Sequence, residues 1–96
     1  AQNQVKKAYT EIEISDDADS GLFENFIKQL VSKYQAKLLN HIHDVDTDYA
    51  DFLLQNEKLT LHRQTFTGIS MFPTELGNAN PQANELARQV GSQLKK

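Results

Sequence analysis

Residues 21–43 read GLFENFIKQLVSKYQAKLLNHIH, and within them the spacing of apolar side chains changes from that of a helix to that of a strand. Leu22, Phe23, Phe26, Ile27, Leu30, Val31 and Tyr34 recur three and four apart, which makes one broad apolar stripe on a helix over 21–35. From Ala36 to His43 that period is lost and alternation takes over. Leu38 and Ile42 are expected on one side, with Lys37, Leu39, His41 and His43 on the other. A helix with a single apolar stripe has to bury it against something, and the strand that follows supplies the start of a sheet.

Working outward, residues 15–20 (SDDADS) are dense in helix-starting residues. Asp19 or Ser20 is the expected cap, with the remaining carboxylates facing the positive end of the helix dipole. Before them, residues 8–14 alternate again. Thr10, Ile12 and Ile14 share one side, and Tyr9, Glu11 and Glu13 the other. A strand, a helix and a strand in this order predict a right-handed crossover between two parallel neighbours. Residues 1–7 are polar and are expected to fray.

On the other side lies the acidic linker 44–48, followed by a hairpin of residues 50–55 and 58–66 closed by Asn56-Glu57. Phe52, Leu54, Leu59 and Leu61 form its inward set. Thr67-Gly68 predicts a bulge or tight turn before a short strand at 69–72 that Pro73 ends. Asn80-Pro81 then has the form of a cap with proline at the first helical position, and Ala83, Leu86, Ala87, Val90 and Leu94 give the helix 81–94 one apolar face. Gly91 weakens its last turn by up to ~1 kcal/mol relative to Ala. The expected architecture is α+β, with the order β-α-β-β-β-(β)-α. Two helices pack on one face of a four- or five-stranded mixed, mostly antiparallel sheet.

Composition limits what such a domain does. Ninety-six residues make a single domain over 1–96, since two cores of half that size would need staples. There is no cysteine, so neither a disulfide framework nor a thiolate metal site exists, which fits a cytoplasmic, reducing setting. Thirteen acidic residues against ten basic ones, with the basic residues scattered, argue against a nucleic-acid partner. No apolar run approaches the ~20 residues that span a bilayer, so no membrane partner is expected.

Three constellations could carry chemistry. Asp44, Asp46 and Asp48 alternate like the opening of an EF-hand loop, but Tyr49 stands where the glycine belongs and Gln55 where the closing Glu belongs. His41 and His43 are two apart on a strand, so both imidazoles can face one zinc ion, with His62 as a third ligand if the strands are in register. Metallo-β-lactamase-like hydrolases use an H-x-H-x-D-H run of this kind, yet Val45 and Asp46 occupy its last two positions here. These residues (His41, His43, Asp44, Asp46, Asp48) define the metal-binding alternative. Against an enzyme stand the absence of a nucleophile elbow and of a glycine-rich phosphate loop, so no catalytic residue and no cofactor are expected. The third is the sheet face opposite the helices. It is expected to carry Tyr9, Leu39 and Leu53, with Phe66 and Phe72, amid Glu11, Glu13, Lys37, His41, His43, Thr60 and His62. Tyr9, Leu39, Leu53, His62 and Phe72 are the candidate contacts for a protein partner or a second copy. The leading expectation is therefore a non-enzymatic interaction or self-associating domain. A small-molecule pocket between the closing helix and the sheet is a further possibility, with no residue type that specifies a ligand.

One stretch also resembles a known group. Asp48 or Asp51 before Phe52-Leu53-Leu54, a hairpin, Leu59-x-Leu61 and the short strand Ile69-Ser70-Met71-Phe72 are similar to a family of small uncharacterised bacterial proteins of about this length, over about a quarter of the chain. That family favours Trp in the two hydrophobic strands, where this chain has none. It has no established activity, so the resemblance implies no functional residue.

Overall fold

A computed structural model describes residues 11–74 and 81–94. The expected fraying at 1–7 and the placement of Tyr9 fall outside the described residues. Five strands and two helices follow in the order β1 (Ile12–Ser15), α1 (Ser20–Lys33), β2 (Lys37–His43), β3 (Thr47–Leu54), β4 (Glu57–Gln64), β5 (Gly68–Pro73) and α2 (Pro81–Leu94). The α+β class and the placement of both helices on one side are as the periodicities predict.

Asp19 caps α1: its side chain accepts from the Leu22 N–H at 2.9 Å while its own backbone is extended. The chain leaves α1 through Gln35 at φ 59°, in the left-handed region where helices commonly end, and the Ala36 N–H donates to the Leu30 carbonyl. The β3–β4 hairpin closes one residue earlier than the sequence suggests. Leu54 pairs with Glu57, and Gln55 and Asn56 both take positive φ, which is the backbone that a two-residue loop between twisted strands requires.

The sheet has the order β1-β5-β4-β3-β2 and every neighbouring pair is antiparallel. The expected parallel pairing of the first two strands is therefore wrong. They run in the same direction but form opposite edges, with three strands between them. The helix that joins them has the reach to do this. Fourteen residues make a helix of about 21 Å, and four inter-strand steps span about 19 Å. Once α1 crosses the whole sheet, β2 to β5 fold as an up-and-down meander, and β1 pairs with the free side of β5.

The core lies between the sheet and the helices. Phe23, Phe26, Ile27 and Leu30 of α1 and Leu86, Ala87, Val90 and Leu94 of α2 meet Phe52, Leu54, Leu59, Leu61, Ile69 and Met71. Two glycines permit the close approaches that shape it. Gly68, at φ 99°, passes the β1–α1 loop so closely that a Cβ there would stand 2.1 Å from the Ser15 carbonyl oxygen. A Cβ on Gly91 would come within 2.9 Å of Ile12 Cγ2, so the residue that weakens α2 locally also seats it against β1. Tyr34 at the end of α1 donates its hydroxyl to Gln93 Oε1 of α2.

Candidate functional site

The register of β2, β3 and β4 decides which side chains share a face. Along β3, Asp48, Ala50, Phe52 and Leu54 point toward the helices, so Tyr49, Asp51 and Leu53 point to the bare side. On β2, Leu38 pairs with Phe52 but the next partner of Asp51 is Asn40, so Leu39 is an extra, bulged residue. Beyond it the alternation of β2 is reversed. His41 pairs with Ala50 and His43 with Asp48, both on the helix side, while Ile42 joins Tyr49 on the bare side. The expectation that placed His41 and His43 on the bare face with His62, and Ile42 away from it, is thus corrected.

On the helix side this register assembles His43, Asp48 and Arg63. Asp48 is 2% and Arg63 8% exposed. Arg63 Nε donates to Asp48 Oδ2 at 2.7 Å and its Nη1 to the Ala18 carbonyl at 3.0 Å, while the other Asp48 oxygen meets His43 Nδ1. Burial pushes the Asp48 carboxyl up, but the hydrogen bonds from Arg63 and His43, reinforced by their charges, outweigh it and hold its pKa below the ordinary value. The acidic linker is accordingly shorter than expected, because β3 begins at Thr47 and draws Asp48 inward.

That placement bears on a metal. His41 lies beside the Phe23 ring, with its Nε2 3.9 Å from Glu24 Oε2. His43 is turned to Asp48, Asp44 Oδ1 accepts from the Val45 N–H, and His62 is on the opposite side of the sheet. Among the described residues no group of three or more His, Cys, Asp or Glu is placed to hold a metal ion. The buried carboxylate orients the imidazole of His43, whose side chain is 74% exposed, but this leaves it facing solvent rather than a cleft. The clefts lie elsewhere. An open one of about 430 Å³ at the β3–β4 turn and the start of α2 is lined mainly by amides and carboxylates, with Glu85 tied to Arg88 and Gln89. A smaller acidic one of about 240 Å³ lies between β1 and β5, lined by Glu11, Glu13, Thr67, Gly68 and Ser70.

The bare side carries the apolar surface. His62 stacks on Tyr49, with ring centroids 4.5 Å apart and planes 9° from parallel, and meets the edge of Phe72 at 6.0 Å. Ile42, 51% exposed, extends this row to the sheet edge. Around it stand polar groups. Thr60 donates to Asp51 at 2.6 Å and lies 2.8 Å from the Thr74 hydroxyl, and Ser70 donates to Glu11 at 3.3 Å. Lys37 and Lys58 flank the half-buried Leu53 at one end. His62 Nε2 is shut off from solvent with no hydrogen-bond partner. Burial lowers the pKa of the ring, and the nearby charge of Glu11 opposes this without overcoming it.

Of the expected contacts, Leu53, His62 and Phe72 lie on this face and Leu39 lies in the edge bulge, 44% exposed. Phe66 does not lie on it. It sits in the β4–β5 turn, 87% exposed, and Val45 is similarly bare in the β2–β3 turn. Those two turns are joined where the Thr65 N–H and hydroxyl both donate to the Asp46 carbonyl. Tyr49, Ile42 and Arg63 were not among the expected site residues. Arg63 follows Leu59 and Leu61 in the inward phase of β4, and that position is the signal that marks it. Comparison with known protein families, curated proteins and solved structures finds no match.

Proposed function

We propose that this chain is a non-enzymatic interaction domain that associates with a second copy of itself through the bare face of the sheet. The observation that carries the reading is the arrangement of that face. Ile42, Tyr49, His62 and Phe72 form a continuous apolar and aromatic centre, ringed by Asn40, Asp51, Thr60, Ser70 and Gln64. An aromatic centre within a polar rim is the anatomy of a protein contact. The charges support a like partner. Lys37 and Lys58 lie at one end of the face and the acidic cleft of Glu11 and Glu13 along the β1 edge. A twofold axis lying between two facing sheets can set each basic end on the partner's acidic edge. The scattered basic residues of an acidic chain favour protein over nucleic acid here, and the absence of cysteine suits a reducing, cytoplasmic compartment.

Size sets the strength. Five strands about 4.8 Å apart and about 23 Å long offer roughly 500 Å² of sheet, below the ~800 Å² per partner of a standard interface. The expected dimer is weak and exchanges rapidly. Sedimentation velocity over a range of protein concentrations tests it. The wild-type coefficient should rise with concentration, and Tyr49→Glu should remain monomeric with an unchanged circular dichroism spectrum. A wild-type protein that stays monomeric at about millimolar concentration, where the weakest specific contacts populate, refutes the reading.

A further inference from the structure

The bare face holds a titratable group at its centre. We infer that protonation of His62 dissociates the sheet-face dimer, so that self-association is switched off by mild acid; the inference rests on the dimer proposed above. Neutral imidazole fits the site. Its ring is covered by Tyr49 on one face and forms a T-shaped pair with Phe72, and Nε2 is already cut off from water without a partner. A proton added there creates a charge with no acceptor in a site that a docking copy dehydrates further, and an unpaired buried charge is far more costly than an unpaired neutral nitrogen.

The surroundings leave little to compensate that charge. From β3, Tyr49 presents its ring and Asp51 is engaged by Thr60; from β5 come Ser70 and Phe72. On β4 itself the same-face neighbours are Thr60 and Gln64, and β2 contributes Ile42. Glu11, just before β1, is the charge that favours protonation, and it accepts from Ser70, while Glu13 of β1 stands opposite Ser70 on the same face. Both helices lie across the sheet. In the proposed dimer the partner's lysines meet these two carboxylates and weaken the pull of Glu11 on His62. Docking and charge neutralisation therefore act in the same direction. The proton binds the monomer more tightly than the dimer, so the dimer must weaken as pH falls. A twofold dimer contains two such rings, so its Kd rises by up to about a hundredfold per pH unit within the window between the two pKa values.

Sedimentation equilibrium at about pH 7.5 and about pH 5.5, either side of the imidazole range, reads this directly. The expected result is a Kd at least about tenfold higher in acid, the equivalent of one pKa unit on one ring. The sign is diagnostic, because approach to the isoelectric point near 5.5 removes net charge and by itself favours association. In His62→Phe, whatever its Kd at neutral pH, that Kd should no longer rise in acid. An NMR titration of the wild-type histidines gives an independent readout. The His62 midpoint should fall as protein concentration rises. A wild-type Kd that is unchanged or lower in acid, a His62 midpoint independent of concentration, or a His62→Phe dimer as acid-sensitive as the wild type overturns the inference while leaving the dimer standing. A protein monomeric at every pH overturns both.

Discussion

Two triplets occupy the same three strands one residue out of step. His43, Asp48 and Arg63 face the helices; Ile42, Tyr49 and His62 face away. The first contains a buried ion pair with its hydrogen bonds closed, and its single exposed member is an imidazole held from behind by a carboxylate. The second contains no ion pair, stacks its imidazole on an arene and leaves a ring nitrogen unsatisfied. The comparison separates two ways of treating a polar group inside a small domain. A group whose partners are supplied by the fold serves the fold. A group left without one weakens the fold at that point and is the more sensitive to its protonation state.

That contrast can be broken at its strongest point by Asp48→Ala. Arg63, 8% exposed, would keep its charge and lose its counter-ion, and the loss of stability in chemical denaturation should be about 3–5 kcal/mol. The double variant Asp48→Leu/Arg63→Met sharpens it, because removing both charges should recover most of that loss. Across the sheet, Tyr49→Ala should cost only about 1 kcal/mol of monomer stability, the worth of an exposed aromatic stack, yet abolish concentration-dependent sedimentation.

Acid titration should separate the two sides in sequence. The pKa of His62 is depressed in the folded chain, so the unfolded ring takes up a proton first. Stability is fully present above the unfolded value of about 6.5 and declines as pH falls toward the folded one. That shallow first decline should vanish in His62→Phe. The Asp48 carboxyl is also depressed, and its contribution should persist down to the unfolded value of about 3.9, then disappear as pH falls through the folded one. Thermal unfolding followed across the pH range would resolve both stages. The smallest effect belongs to His43→Ala. With its side chain 74% exposed, solvent screening should keep the loss under about 1 kcal/mol.

The helices were legible because their information is local. The apolar stripe of Phe23, Phe26, Ile27 and Leu30, the Asp19 cap and the start of α2 at Pro81 are read without knowing what lies across from them. The bare face was half legible. Leu53, His62 and Phe72 are found by counting in twos, while Ile42, His41 and His43 are misassigned because the Leu39 bulge is a property of the β2–β3 pair and not of β2. The Asp48–Arg63 pair depends on register in the same way. Fifteen residues separate its members, and a charge in the inward phase becomes meaningful only when another is known to stand opposite. Strand order was the largest miss, since a helix long enough to cross the sheet looks the same in sequence as one that steps to the adjacent strand.

The bulge at Leu39 works as a parity switch for the edge strand. Every position after it on β2 inherits its face from whether that one residue is counted. Drawing Leu39 itself into the ladder opposite Asp51, with no change of sequence, would turn His41 and His43 outward beside His62 and carry Ile42 inward, exchanging the chemistry of both surfaces. Loss of the Leu39 codon would do the opposite: it removes the bulge while Leu38 stays opposite Phe52 and Asn40 opposite Asp51, so every later side chain keeps its present face. The edge strand thus shows its present faces because one residue is left out of the pairing, and a three-histidine face is withheld by backbone geometry rather than by composition.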